Sequence, residues 1–165
     1  MIEFLLVRNV KEPIRDVNEN AGIDMFIPEK DDDIVKEILD FNSKIIIEDN
    51  KMIIPPHQDI LIPAGVKSKF DKNLGLVAAN KSGVATKKKL IFGAELIDSG
   101  YEGEWHFHLI NWSDETQIIE FGQKILQFVP TVISNEELVV RHCSEEEFFT
   151  VHSNRGDGGF GSTGV

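Results

Sequence analysis

The last twelve residues of the chain carry several side chains suited to binding an anion. Residues 154–165 contain five glycines together with Arg155, Ser162 and Thr163. Bare backbone N–H groups approach an anion closely, hydroxyls donate hydrogen bonds, and a guanidinium pairs with phosphate oxygens. Phe160 lies in this polar segment, where it could stack on a nucleobase for about 1–3 kcal/mol. A mobile terminus is the alternative interpretation of a glycine-rich tail taken alone.

A second anion-binding candidate follows the apolar run 76–79. Lys81, Ser82 and Gly83 supply a cation, a hydroxyl and a flexible backbone N–H at that point. This order predicts a phosphate cradle at the end of a strand. The lysine run 87–89 adds positive charge nearby, although a charge run is usually a solvated surface.

A carboxylate and the only tyrosine of the chain lie close together within residues 96–104. The triplet 98–100, Asp-Ser-Gly, favours a turn, and the segment therefore predicts a β-hairpin. Tyr101 comes three residues after Asp98 and provides a rigid phenol beside that carboxylate. We interpret the pair as a floor for a sugar next to a general base.

Asp24 and Gln123 complete the set of candidate residues. Hard divalent cations keep water ligands and are reached by one or two carboxylates together with substrate phosphates, so Asp24 could hold a metal ion through water. Residues 122–130 predict a turn that leads into a buried strand, with Gln123 and Gln127 as amide donors. Each of these residues taken alone would be assigned a structural role.

Taken in chain order, these five segments resemble the five motifs of the trimeric dUTP pyrophosphatase (dUTPase) family, over residues 21–164. Residues 81–111 can be laid on the family pattern without a gap, and 155–164 fit its glycine-rich fifth motif almost residue for residue. The family usually has Pro-Arg, Gly, Asp and often Arg at four places where this sequence has Asn80-Lys81, Glu95, Gly100 and Glu102.

The resemblance implies an all-β fold, a jelly-roll-like barrel or sandwich. It implies one domain over residues 1–153, with a helical insertion at about 31–43, and a flexible C-terminal arm over 154–165 that closes on the nucleotide. It also implies a homotrimer with active sites at the subunit interfaces. The implied reaction is hydrolysis of dUTP to dUMP and pyrophosphate with Mg²⁺.

The same resemblance assigns roles to the candidate residues. Asp98 would orient and deprotonate the water that attacks the α-phosphorus, and Asp24 would bind Mg²⁺ through water. Tyr101 would pack against the deoxyribose and leave no room for a 2′-hydroxyl. The remaining substrate contacts would come from the backbone around Glu95, Leu96 and Ile97 at the uracil edge, from Phe160 stacked on uracil, and from Lys81, Ser82, Gly83, Gln123, Arg155, Gly161, Ser162 and Thr163 around the phosphates.

The departures from the family pattern keep three alternatives open. Glu95 adds a carboxylate that could accept from the N4 amine of cytosine, which would relax the preference for dUTP over dCTP. Gly100 makes the loop similar to that of dCTP deaminases, but those enzymes need a glutamate on the following strand, where this chain has His108. The third alternative is a catalytically weak member that serves as a nucleotide-responsive regulatory or binding protein. Lys81 lacks the fork geometry of arginine, so we expect weaker phosphate positioning but not loss of the site.

The elements expected to position these residues are mainly strands, because Ile and Val are frequent and turn residues recur at short intervals. Residues 105–110 alternate with period two and give the clearest strand, with His106 and His108 on the same side. A His-x-His metal site is conceivable there, although no third ligand is evident nearby. Adjacent residues in a strand point to opposite faces, which argues against Cys143 and His142 as a nucleophile and its base.

One segment has helical rather than β periodicity. Acidic residues at 31–33 precede Ile34, Ile38 and Phe41, which share one helical face. We expect this insertion to pack on its own subunit, with a surface for a protein partner as the alternative. A second, weaker helix start is predicted at 144–147 by capping-box spacing.

Composition excludes several functional classes. The 165 residues carry a formal charge of −11, which repels nucleic acid and anionic lipid. No apolar run approaches the roughly 20 residues that a membrane span needs. The single cysteine, Cys143, and the absence of a basic N-terminal signal region predict a reducing cytoplasm.

Overall fold

The computed structural model describes residues 1–16, 18–133, 141 and 143–144. The chain divides into two units, Met1–Asn135 and Glu136–Val165, and every element named below belongs to the first. The predicted arm at 154–165 and most of the predicted helix start at 144–147 lie outside the described residues. Within the described part of the chain, neither helix is long and apolar enough to cross a membrane.

The described chain contains twelve strands and two helices. In order they are β1 (Ile2–Leu6), β2 (Ile23–Phe26), α1 (Asp32–Phe41), β3 (Ile46–Glu48), β4 (Lys51–Ile54), β5 (Asp59–Pro63), β6 (Val66–Phe70), β7 (Leu74–Asn80), α2 (Ser82–Lys87), β8 (Leu90–Phe92), β9 (Leu96–Ile97), β10 (His106–Asn111), β11 (Gln117–Glu120) and β12 (Lys124–Val132).

The strands form four antiparallel sheets. Their strand orders are β1-β6, β5-β10-β8, β11-β4-β3 and β2-β12-β7-β9. The last sheet holds most of the candidate residues, because β7 leads into residues 81–83, β2 carries Asp24, and β9 leads into Asp98. Pro130 lies on β12 beyond the part that pairs with β2. On that side of β12 the described chain has no strand to which its missing N–H could have donated.

Strand periodicity builds the core between these sheets. On β10, Phe107 and Leu109 are buried while His106 and His108 face the other side, as the alternation predicts. Trp105, immediately before β10, is fully buried and lies edge-on to Phe4 and Phe128, with ring centroids 5.5 and 4.9 Å away. This aromatic cluster joins the two-stranded sheet β1-β6 to the four-stranded sheet.

The predicted helix forms at the expected place. Asp31 is its N-cap and accepts a hydrogen bond from the Ile34 N–H at 2.8 Å. Ile34 and Ile38 are fully buried in the core, which confirms that the insertion packs on its own subunit. The prediction was wrong for Phe41, which is 56% exposed at the last turn, where only the edge of its ring contacts another aromatic side chain.

The predicted hairpin over 96–104 is wrong in its second strand. The turn is present, because the Tyr101 N–H donates to the Asp98 carbonyl at 3.1 Å. However, Leu96 and Ile97 pair with β7, and residues 101–105 form no strand. The chain instead leaves the turn towards Trp105, whose N–H and carbonyl bond to Val66 and Ala64. Long-range pairing therefore replaced the local partner that turn chemistry suggested.

Candidate functional site

Four predicted residues meet in one small pocket beside the turn. Leu96, Ile97, Asp98 and Tyr101 line a cavity of about 190 Å³ together with His106. We call these five residues the Asp98 pocket. The Asp98 side chain belongs to an exposed residue, so both water and a ligand can reach its carboxylate.

The phenol of Tyr101 is held in a defined orientation. Its hydroxyl donates to the Glu104 carbonyl at 2.9 Å. A Cβ added at Gly103 would lie 2.4 Å from that hydroxyl oxygen, so glycine at this position lets the ring rest directly against the backbone. The ring is 43% exposed, which leaves a face open to a ligand. This arrangement suits a rigid surface for a sugar.

A second group of predicted residues surrounds a buried carboxylate. The two oxygens of Asp24 accept hydrogen bonds from Lys81 Nζ at 2.5 Å and Lys124 Nζ at 2.8 Å. Burial favours the neutral acid, but the hydrogen bonds from Lys124 and Lys81 outweigh it and lower the pKa of Asp24 below its ordinary value. We call these three residues the Asp24 cluster. One carboxylate against two ammonium groups leaves a net positive charge, which attracts an anion.

The backbone beside the Asp24 cluster is open to a ligand. Lys81 caps the six-residue helix α2, which begins at Ser82, and both Ser82 and Gly83 are exposed. No atom of the described chain lies within 4 Å of a Cβ built on Gly83, so a phosphate can approach this backbone closely. The side-chain oxygen of Gln123 accepts from the Glu120 N–H at 3.0 Å, which orients the amide group at this turn.

The Asp24 carboxylate suits a hydrated Mg²⁺ better than a directly bound one. Each of its oxygens already accepts one ammonium hydrogen bond, which leaves roughly half of the lone pairs for metal-bound water. Direct ligation would place the cation beside two lysine ammonium groups, which repel it. Among the described residues, no group of three or more His, Cys, Asp or Glu side chains could hold a metal ion. The Asp24 carboxylate therefore fits a metal contact through water.

The two groups lie at opposite ends of β7. Ile97 is opposite Leu76 in antiparallel register, and continuing that register places Asp98 beside Gly75. Lys81 follows the other end of the same strand. Six residues of extended chain span about 20 Å, so a single chain holds Asp98 and the Asp24 cluster well apart.

Glu95 and two residues of the lysine run 87–89 make defined contacts outside the two groups. Glu95 is exposed, and its carbonyl accepts from the Ala78 N–H at 2.7 Å. Of the lysine run, Lys88 donates to the Ile118 carbonyl at 2.6 Å and Lys89 lies over the Trp112 ring. Five predicted contacts lie outside the described residues, namely Arg155, Phe160, Gly161, Ser162 and Thr163.

The sequence analysis missed two contributors to these groups. Lys124 lies within the segment 122–130 that we had singled out, but only the register between β2 and β12 brings its ammonium to Asp24. His106 was considered as a metal ligand and instead lines the Asp98 pocket. His108 bonds to Asp59 at 2.8 Å, whereas His106 Nε2 lies 3.5 Å from Glu37 Oε1, so the two histidines face carboxylates on different elements.

The lowered pKa of Asp24 leads to a prediction about stability. Asp24→Asn should lower the free energy of unfolding at about pH 7 by roughly 1–3 kcal/mol, because two part-buried hydrogen bonds from lysine ammonium groups lose their charged acceptor. A carboxyl with a lowered folded pKa stabilises the fold above its unfolded pKa of about 3.9, and this contribution disappears as the pH falls through the folded value. Urea unfolding should therefore give a gap between wild type and variant that narrows below about pH 4. The same gap for the exposed Asp40→Asn control, or a gap that grows with acid, would contradict the assignment.

Comparison with known proteins gives a consistent result. The family model described as dUTPase matches residues 46–164. Deoxyuridine 5'-triphosphate nucleotidohydrolase from Actinobacillus pleuropneumoniae is 33% identical over 123 residues, which are 72% of this chain and 76% of that protein. The protein of the same name from Chlamydia pneumoniae is 37% identical over 112 residues, 67% of this chain and 74% of that one.

Solved structures match the fold. A mutant of the Staphylococcus bacteriophage 80alpha dUTPase with dUpNHpp superimposes with a TM-score of 0.73 at 22% identity, covering 100% of this chain and 99% of that one. A mutant dUTPase from phage phi11 of S. aureus, described with a structural Mg(II) ion, gives a TM-score of 0.66 at 19% identity, with coverage of 88% and 99%. The likeness confirms the predicted all-β, jelly-roll-like fold.

Proposed function

The chain belongs to the dUTPase family and is an enzyme that hydrolyses dUTP, and on this premise we propose that Asp98 activates the attacking water. The observation that carries the proposal is the exposed Asp98 carboxylate in the same small pocket as the only tyrosine of the chain. A carboxylate beside a sugar-sized surface is where a water aimed at the α-phosphorus would be held.

The reaction balances with one water and no redox step. The water oxygen forms a bond to the α-phosphorus while the bond from that phosphorus to the bridging oxygen breaks, giving dUMP and pyrophosphate. Asp98 accepts a proton from the water. Such a displacement needs mainly positioning and neutralisation of charge, rather than a covalent intermediate.

The Asp98 pocket also selects the nucleoside. Tyr101 packs on the deoxyribose, and its fixed ring leaves no space for a 2′-hydroxyl. The backbone around Leu96 and Ile97 reads the uracil edge. Glu95, the residue before β9, is exposed, which supports a base preference set by the backbone and not by this carboxylate.

The Asp24 cluster receives the phosphates. Lys81 and Lys124 are held side by side by Asp24, and Ser82 and Gly83 offer a hydroxyl and open backbone beside them. Gln123 would add an amide donor to this end. Mg²⁺, held by Asp24 through water, would neutralise charge on the triphosphate oxygens when bound.

The separation of the two groups supports a site shared between subunits. About 20 Å of β7 divides Asp98 from Lys81 within one chain, whereas a water at the α-phosphorus must lie within a few ångströms of both the base and the phosphate contacts. A second copy would bring its Asp24 cluster to the Asp98 pocket of the first. A closed homotrimer satisfies this with three equivalent sites.

Further parts of the proposal rest on sequence. The segment 154–165, as an arm beyond a domain at 1–153, would bring Arg155 to the γ-phosphate, Phe160 onto the uracil, and Gly161, Ser162 and Thr163 around the phosphates. The single cysteine supports a cytoplasmic location.

Leu39 and Phe41 are exposed on α1, which supports a protein partner at the 31–43 insertion. Phage 80alpha dUTPases are described as controlling the transfer of virulence genes, which is a precedent for such a role in the fold.

The experiment that tests the proposed function is a nucleotide panel with product identification. dUTP, dCTP, UTP and dTTP are incubated with the enzyme and Mg²⁺ in ¹⁸O-labelled water. We expect dUTP to be turned over with the label in dUMP, since attack is at the α-phosphorus. Label in pyrophosphate would contradict the mechanism, comparable rates on dCTP would indicate relaxed base choice, and ammonia from dCTP would indicate a deaminase.

A further inference from the structure

An ion-pair network connects the inserted helix to the strand-turn segment of the Asp98 pocket. The Arg8 guanidinium bonds to Glu37 on α1 at 2.5 Å and to both carboxylate oxygens of Glu104, at 2.6 and 2.9 Å. The side chains of Arg8 and Glu104 are only 16% and 17% exposed, so water screens this contact weakly. The fork of one arginine thus joins two carboxylates that come from distant parts of the chain.

Glu104 fixes the position of Tyr101. Its carbonyl accepts the Tyr101 hydroxyl, and its carboxylate accepts the Gly65 N–H at 2.8 Å as well as the Arg8 guanidinium. The residue is therefore held at both its side chain and its backbone. Any shift of Glu104 moves the carbonyl that orients the phenol.

The helix also contacts the pocket wall directly. His106 Nε2 lies 3.5 Å from Glu37 Oε1, and the Phe41 ring meets the His106 ring edge-on at 5.9 Å. His106 lines the Asp98 pocket together with Asp98 and Tyr101. Glu37 is held firmly, because Ile34 and Ile38, one turn before and one residue after it, are fully buried.

We infer that Glu37 is a positioning residue for the sugar site, acting through Arg8 and Glu104 on Tyr101 and through contact with His106. The inserted helix thereby sets how closely the pocket fits a deoxyribose. This inference rests on the proposed function of the Asp98 pocket. It assigns to the insertion a role in sugar selection that is separate from any partner on its exposed side.

The test compares Glu37→Ala with Asp40→Ala, an exposed carboxylate on the same helix, using dUTP and UTP as substrates. Glu37→Ala should raise KM for dUTP by about three- to thirtyfold with a smaller change in kcat, and should narrow the preference for dUTP over UTP. Glu37→Gln keeps an acceptor for Arg8. Its KM for dUTP and its preference for dUTP over UTP should therefore lie between those of wild type and Glu37→Ala. Asp40→Ala should match wild type in both quantities.

Arg8→Lys provides a second variant, because lysine lacks the planar fork that contacts both oxygens of Glu104 while also reaching Glu37. This variant should also narrow the preference for dUTP over UTP. Unfolding curves measured for each variant check that it is folded. An unchanged preference between dUTP and UTP in Glu37→Ala and Arg8→Lys, with or without lost stability, would overturn the inference. No dUTP turnover by the wild-type enzyme would instead refute the proposed function on which it rests.

Discussion

Asp98→Asn is expected to lower kcat for dUTP by about 10²–10⁴-fold while leaving nucleotide binding nearly intact. Asparagine keeps the size and can still hydrogen-bond a water, but it cannot accept the proton that the attacking water must lose. Turnover is measured by pyrophosphate release, and binding by titration with a non-hydrolysable dUTP analogue. Because Asp98 is exposed in a turn, the substitution should not disturb folding.

The matched control for this variant is Asp71→Asn, another exposed loop carboxylate, which should behave as wild type. A kcat within a few-fold of wild type for Asp98→Asn would exclude the residue as the base. A variant that loses binding along with turnover would assign Asp98 to substrate recognition.

The second large effect is expected from the combined Lys81→Ala and Lys124→Ala substitutions. In the proposed site each lysine would supply one charge-assisted hydrogen bond to a phosphate, and such bonds contribute about 1.5–3 kcal/mol. Losing both should lower kcat/KM for dUTP by about 10²–10⁴-fold. The loss should appear in triphosphate binding, with a much smaller change in the affinity for the nucleoside deoxyuridine.

Two controls separate lost charge from lost structure. Lys81→Arg with Lys124→Arg keeps both positive charges beside Asp24 and should retain most activity. Lys87→Ala removes an exposed lysine from the end of α2 and should have little effect. An equal loss in all three proteins would contradict a role in binding phosphate. A double-alanine variant that is less stable but keeps the kcat/KM of wild type when folded would place the lysines in a structural role only.

Sequence periodicity was sufficient for the local elements. The spacing of Ile34 and Ile38 behind acidic residues predicted α1, and the alternation through 105–110 predicted β10 with both histidines on one side. These signals are local, because the 3.6- and 2-residue periods follow from the geometry of each element alone. The apolar face of α1 was nevertheless predicted one turn too long, since the core ends at Ile38 and not at Phe41.

Contacts between distant residues could not be predicted in this way. The Asp24 cluster joins residues up to 100 positions apart, and Arg8 bonds to a glutamate 96 positions away. Only strand register decides which side chains meet, and a one-residue slip would place them on opposite faces. The missing second strand of the hairpin has the same cause, since Trp105 found backbone partners near Val66 that no local signal indicated.

Mixing two inactive variants tests most directly whether Asp98 and the lysines of different copies share a site. Asp98→Asn chains and chains with both Lys81→Ala and Lys124→Ala are co-expressed at equal levels with different tags, and mixed oligomers are purified through both. If each site takes its base from one copy and its lysines from another, about one site in three is intact in every trimer that contains both kinds of chain, and dUTP hydrolysis should recover to about a third of wild type. Mixed oligomers that remain as inactive as either parent would contradict the shared site.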